Sequence, residues 1–305
     1  MSRRPHILMV FLDGVGIGRK DPRHNPFFAS HLPTFERLLG GRMPHLHDAY
    51  RSNSTASLCP VNATLRMAGL PQSGTGQTSL MTGINAPRMI GKHFGPYPYS
   101  TLKPVLHEHN VFRKLHDRGR CVFYANAFPR QFFDYIGSPK ARIPVFSLSW
   151  MMAGFSLNNS DTLAQGRALS ADVTNERWHK LGYPGMPVVT PQDAGRKLVE
   201  LTSEHDFVLY EYYLTDHAGH KQSMVEAELV LKCLDQLLEG IAESLDLSSM
   251  LMVLTSDHGN LEDLTTKSHT RNPVPFLAIG RDRRDIVRRV KNLTHIAPAI
   301  LDLLS

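Results

Sequence analysis

Five near-continuous apolar runs limit what this chain can fold into: "HILMVFLD" (6–13), "RCVFYANAF" (120–128), "DFVLYEYYL" (206–214), "SMLMVLTSD" (249–257) and "VPFLAIG" (274–280). A strand with one wet face alternates apolar and polar residues. These runs have no wet face, so they predict strands covered on both sides. Amphipathic stretches separate them, "NVFRKLHDRG" (110–119), "PQDAGRKLVELTSE" (191–204) and "MVEAELVLKCLDQLLEGIAESL" (224–245), and "THIAPAILDLLS" (294–305) closes the chain. The alternation predicts an α/β fold, a mostly parallel sheet sandwiched by helices. Within 224–245, Leu229, Cys233, Leu237 and Ile241 recur every four residues and predict a core-facing stripe.

Residues 129–190 break the pattern with Pro, Gly, Ser, both tryptophans and clustered aromatics. They are too apolar for disorder and too irregular for another strand and helix pair. The expected organisation is an α/β metal-binding core from 1–128 and 191–305, with 129–190 inserted as a substrate-selecting cap. A chain of 305 residues is long enough for both.

Composition narrows the setting. Three scattered cysteines with no CxxC pair suit neither a disulfide framework nor a thiolate zinc site. The N-terminal arginines followed by Ile7–Leu12 imitate a signal peptide, but the apolar run is too short and ends in Asp13-Gly14. No uncharged stretch is long enough to span a bilayer. The expectation is a soluble, cytoplasmic protein with no membrane partner. A net charge of +6 suits an anionic substrate. Much of that excess lies in "GRDRRDIVRRVK" (280–291), whose interspersed aspartates and lack of aromatic neighbours make it a solvated helix face, so no nucleic-acid partner is expected.

Ligands of an open parallel sheet bind beyond the carboxyl ends of its strands. There the first run ends in Asp13-Gly14, the third runs into "TDHAGH" with Asp216, His217 and His220, and the fourth into "SDHGN" with Asp257 and His258; His269 stands in "KSHTRNPVPF" ahead of the fifth. Carboxylates and imidazoles without thiolates suit Mn²⁺, Zn²⁺ or Fe²⁺. Six or seven ligands are too many for one tetrahedral ion and point to two. A metal pair about 3.5–4 Å apart can clamp the attacking and leaving oxygens of a phosphoryl transfer. That chemistry needs an activated water or hydroxyl, and "GLPQSGTGQTSLMTG" (69–83) offers several hydroxyls at the start of a helical segment.

In order along the chain, "LDGVG" (12–16), "SGTGQTSLMTG" (73–83), "DHAGH" (216–220), "SDHGN" (256–260), "SHTRNPVPF" (268–276) and "THIAPAILDLL" (294–304) resemble the alkaline phosphatase superfamily. The similarity is to its branch of cofactor-independent phosphoglycerate mutases and phosphopentomutases. The resemblance implies two divalent metals, Mn or Zn, one held by Asp13, Asp257 and His258 with the nucleophile's oxygen, the other by Asp216, His220 and His269. It implies a nucleophile at the N-terminal end of a helix, where the phosphopentomutase-like Thr-Gly pair points to Thr75, with Ser73 as the rival and water as a third choice. Gly76 and Gln77 would then border the substrate, and Gln77 replaces the histidine those mutases commonly carry. His217 matches a variable place and is left out of the ligand set. Arg167 or Arg177 of the cap would grip an anion.

The expected function is a two-metal phosphate-ester hydrolase acting on a small anionic ester through Thr75. The alternatives are a phosphomutase acting on a sugar phosphate or phosphoglycerate, and a metal-stabilised binding protein without turnover. The stretch between Ala127 and Asp206 is too short for the large substrate-binding insertion of the mutase.

Overall fold

The computed structural model describes residues 4–305, so Arg3, one of the two arginines ahead of the first apolar run, lies outside the described residues. All five apolar runs contain strands, and two shorter segments join them. In chain order these are β1 His6–Leu12, β2 Arg51–Ser52, β3 Ala56–Val61, β4 Val122–Tyr124, β5 Phe207–Tyr212, β6 Met250–Ser256 and β7 Val274–Gly280. They form one sheet in the order β2-β3-β7-β6-β1-β5-β4. β4, β5, β1 and β6 are mutually parallel, while β7 runs against β6, β3 against β7 and β2 against β3. Five of the seven strands therefore share one direction. β3 escaped the apolar pattern because Pro60, which has no N–H for the ladder, interrupts a short run.

Successive β1 side chains alternate between two cores: Leu8, Val10 and Leu12 face one, Ile7, Met9 and Phe11 the other. The Pro191–Glu204 and Met224–Ser244 helices cover the first. The Ser73–Thr82, Val111–Asp117, Val145–Met152 and Ile296–Leu303 helices contribute to the second. Helix starts follow local chemistry. Ser223 accepts from Glu226 N in a Ser-x-x-Glu box, and Thr190 accepts from Asp193 N.

The stripe expected on the 224–245 segment needs correction. Leu237 and Ile241 are buried, but Leu229 is 64% exposed. A step of four residues advances about 400°, so each step drifts about 40° from the helix face. The buried stripe instead mixes steps of three and four through Ala227, Leu231, Leu234, Leu238 and Ile241.

Residues 129–190 form four short helices. The Val145–Met152 helix packs in the second core, where Phe146 meets Phe11 edge-on at 4.5 Å. Leu163, Ala168, Trp178 and Met186 form a small cluster of their own with Ala127. No helix of the described residues is long and apolar enough to cross a membrane.

Candidate metal centre

The sheet order explains how distant residues meet. β5, β1 and β6 are adjacent and parallel, so their carboxyl ends deliver Asp216, Asp13 and the Asp257-His258 pair to one edge. β7 runs the other way, which brings the residues ahead of it, His269 among them, to that same edge. Gly14 lets the Asp13 turn close: its φ is +67°, and a Cβ there would fall 2.4 Å from Asp216 Oδ1.

Two sets of donors converge. In the first, His258 Nε2 lies 3.3 Å from Asp13 Oδ1 and 3.6 Å from Asp257 Oδ2. In the second, His220 Nε2 lies 3.2 Å from Asp216 Oδ2 and 3.3 Å from His269 Nε2, which is 3.8 Å from Asp216 Oδ1. Asp216 and His220 share a helix face because they are four residues apart. The sets abut, since the His258 and His269 rings stack with centroids 3.7 Å apart. His220 and His269 each turn Nδ1 to a carbonyl, Lys267 O at 2.7 Å and Pro71 O at 2.8 Å, which leaves both Nε2 atoms for the cluster.

The donors fit divalent metal. Asp13 Oδ1, both Asp257 carboxylate oxygens and His258 Nδ1 are buried without a hydrogen-bond partner. Buried carboxylate oxygens without donors are costly unless a cation compensates them. The electrostatics carry the same demand. Burial and the Asp257 charge push Asp13 up to about 8. Burial also raises Asp257. Burial alone would lower His258, but Asp257 and Asp13 outweigh it and hold the imidazole at about 10. His269 is pushed down to about 4, by burial first and then by the His258 charge. Oxygen and imidazole donors without sulfur suit borderline divalent ions.

The hydroxyl next to this cluster belongs to Ser73, the rival of Thr75. Ser73 Oγ lies 3.0 Å from His258 Nε2. Thr75 is fully buried, donates to Gln72 O at 3.2 Å and accepts from Phe94 N at 3.2 Å. Its hydroxyl is therefore engaged away from the candidate ligands. Helix phase is the cause: Ser73 and Gln77, four residues apart, share a face, whereas Thr75 is turned about 200° from Ser73. All ten residues of this polar helix are buried because Thr78, Ser79 and Thr82 donate back to the carbonyls of Gly74, Thr75 and Thr78. Gly76 lies against Asp257, where a Cβ would sit 3.1 Å from both its Cβ and its carbonyl oxygen. Gln77 Nε2 reaches Asp13 Oδ2 at 3.5 Å.

Two residues with no role in the sequence reading hold the loops. Glu262 is buried and accepts from Gly16 N at 2.9 Å, Asn260 N at 2.8 Å, Asn272 Nδ2 at 3.0 Å and Thr270 Oγ1. It thereby joins the loops carrying Asp13, His258 and His269. Asn260 Nδ2 donates to Asp216 Oδ1 at 2.7 Å and ties in the helix that carries Asp216 and His220. A carboxylate two residues beyond the "SDHGN" motif gives no local signal of such a role, because its donors come from three loops. Of the two cap arginines, Arg177 borders the cavity beside Ser73, whereas Arg167 is engaged with Gln165. His217 also borders that cavity, away from the ligand face of its helix.

Residues 182–305 match a family model described as the metalloenzyme superfamily. The chain carries a metalloenzyme-superfamily domain. The 2,3-bisphosphoglycerate-independent phosphoglycerate mutase of Pseudomonas syringae pv. syringae is 32% identical over 131 residues, which is 40% of this chain and 26% of the mutase. The match thus spans about a quarter of that relative's length. A solved protein from Pyrococcus horikoshii superposes with a TM-score of 0.62 at 14% identity, covering 100% of this chain and 98% of its own. The alkaline phosphatase of the Antarctic bacterium TAB5 does so with a TM-score of 0.57 at 12% identity, covering 100% and 99%. The metalloenzyme-superfamily match includes Asp216, His220, Asp257, His258 and His269, while Asp13 and Ser73 precede it. The alkaline phosphatase-like fold extends over both.

Proposed function

We propose that this protein is a two-metal phosphate-ester hydrolase whose nucleophile is Ser73 Oγ. One observation carries the reading: Ser73 Oγ stands 3.0 Å from His258 Nε2, the atom that also faces Asp13 and Asp257 in the first donor set. Asp13, Asp257 and His258 would hold one divalent ion with Ser73, and Asp216, His220 and His269 the other, Mn or Zn by donor type. Such ions, when bound, lower the pKa of a hydroxyl and neutralise phosphoryl charge.

The chain's own part is positioning. Ser73 opens the Ser73–Thr82 helix, whose first-turn N–H groups favour a phosphoryl anion. Ser73 Oγ forms the new P–O bond as the ester P–O bond opposite it breaks and the alcohol leaves. Water then attacks the phosphoserine and releases phosphate. Gln77 beside Asp13 offers an amide donor there in place of a titratable imidazole. Residues 129–190 would select the alcohol.

The mutase relative supports a second reading, transfer of the phosphoryl group back to another hydroxyl of the same substrate. Mn²⁺- or Zn²⁺-loaded protein incubated with phosphomonoesters, phosphodiesters and sugar phosphates separates the two through free phosphate against isomerised product. Mass spectrometry should find phosphate on Ser73, and Ser73→Ala should abolish it while Thr75→Ser retains it. Label on Thr75 would sink the Ser73 assignment. Metal binding with no phosphoenzyme and no turnover would leave a binding protein.

A further inference from the structure

A cavity of about 440 Å³ opens from Asp13, Ser73 and Asp216 toward the 129–190 segment. Its far walls are aromatic, with Phe128, Phe132, Trp178 and Tyr213. Phe128 and Phe132 stack at 4.4 Å and present a flat apolar surface. Beyond the candidate ligands, three charged side chains border it: Asp172, Arg177 and Glu211.

Their balance is unusual for a site that takes anions. Among the described residues Arg177 is the one Lys or Arg on the wall. Asp172 offsets it, held beside it by Arg177 N at 2.8 Å and by Ser170 Oγ at 2.6 Å. Glu211 has no such partner. It lies one residue from the carboxyl end of buried β5, where Asn126 brackets its backbone N–H and C=O, and Tyr124 donates to Oε2 at 2.6 Å. Burial pushes it up to about 7, so it is a buried anion on the cavity wall in mildly alkaline solution.

We infer that this cavity receives the alcohol part of the ester, accepting a flat, uncharged group and rejecting one that carries a second negative charge. The inference rests on the phosphate-ester reading above. A ring would lie on the aromatic walls. A carboxylate would be set against Glu211 in a partly desolvated space, where like charges repel more strongly than in water.

The test is calorimetric titration of Mn²⁺-loaded Ser73→Ala protein, which binds without turnover, at about pH 8.5, above the Glu211 range. Phenyl phosphate is expected to bind at least about tenfold tighter than 3-phosphoglycerate. On the same background Glu211→Gln keeps an acceptor for Tyr124 and should narrow the gap by about tenfold, by tightening phosphoglycerate and leaving phenyl phosphate unchanged. Equal or tighter binding of phosphoglycerate, no binding of phenyl phosphate, or an unchanged ratio in folded Glu211→Gln protein overturns the inference. Of these outcomes, tighter binding of phosphoglycerate would make Arg177 a carboxylate clamp. Failure of the functional reading looks different: wild-type protein releases no phosphate from any ester while the binding ratio holds.

Discussion

The two ligand sets are built differently. Asp257 and His258 are fully buried, and both Asp257 carboxylate oxygens and His258 Nδ1 lack hydrogen-bond partners. His220 is exposed, Asp216 is part-exposed, and both are tied down by neighbours, His220 through Lys267 O and Asp216 through Asn260. The buried set leaves its carboxylate oxygens uncompensated by hydrogen-bond donors and stands next to Ser73. The open set keeps its geometry through its own hydrogen bonds and faces a second cavity lined by Lys267 and Ser268. The buried set therefore suits a tightly held ion, and the open set one that exchanges and meets water.

Substitution in each set tests that contrast. Asp257→Asn preserves shape and removes the charge, and phosphate release should fall on the order of 10³-fold together with bound metal measured by elemental analysis. Retained activity after loss of metal would break the two-metal reading. Glu262→Ala acts on both sets at once by leaving donors from three loops unsatisfied. It should cost about 3 kcal/mol or more in denaturant unfolding and weaken both metals. His220→Ala should weaken one metal by at least about tenfold and be rescued by raising the metal concentration. If Asp257→Asn is rescued as readily, the sets do not differ as described.

The smallest effect is on pH dependence. In metal-free protein Asp13 at about 8 and His258 at about 10 both lie above their unfolded values. Their stabilisation is complete below the unfolded pKa and is lost as pH rises through the folded one. His269, lowered to about 4, runs the other way and loses stabilisation as pH falls below about 6.5. Above about 6.5 only losses remain, so the Tm of chelator-treated protein should fall toward pH 10, less steeply with Mn²⁺ present. Equal slopes with and without metal would show that the buried set carries no such strain.

Much of the architecture was legible because its signals are local. An apolar run is buried wherever the sheet forms, and an acid or histidine following that run lies at a strand end. Other features had no local signal. Glu211 is hidden inside "DFVLYEYYL", where it reads as one polar residue of a strand. Leu229 fitted a four-residue spacing and still faces solvent, because 3.6 residues per turn carries that spacing off the core.

The sequence by itself determined five of the seven strands and which donor chemistry follows them, since hydropathy and ligand type are properties of the residues present. The tertiary structure alone decided that β5, β1 and β6 lie side by side, that reversed β7 brings His269 to their edge, and that helix phase presents Ser73 rather than Thr75. Those outcomes depend on packing between residues far apart in the chain. Ser73 and His258 are 185 positions apart, and no local pattern spans that separation.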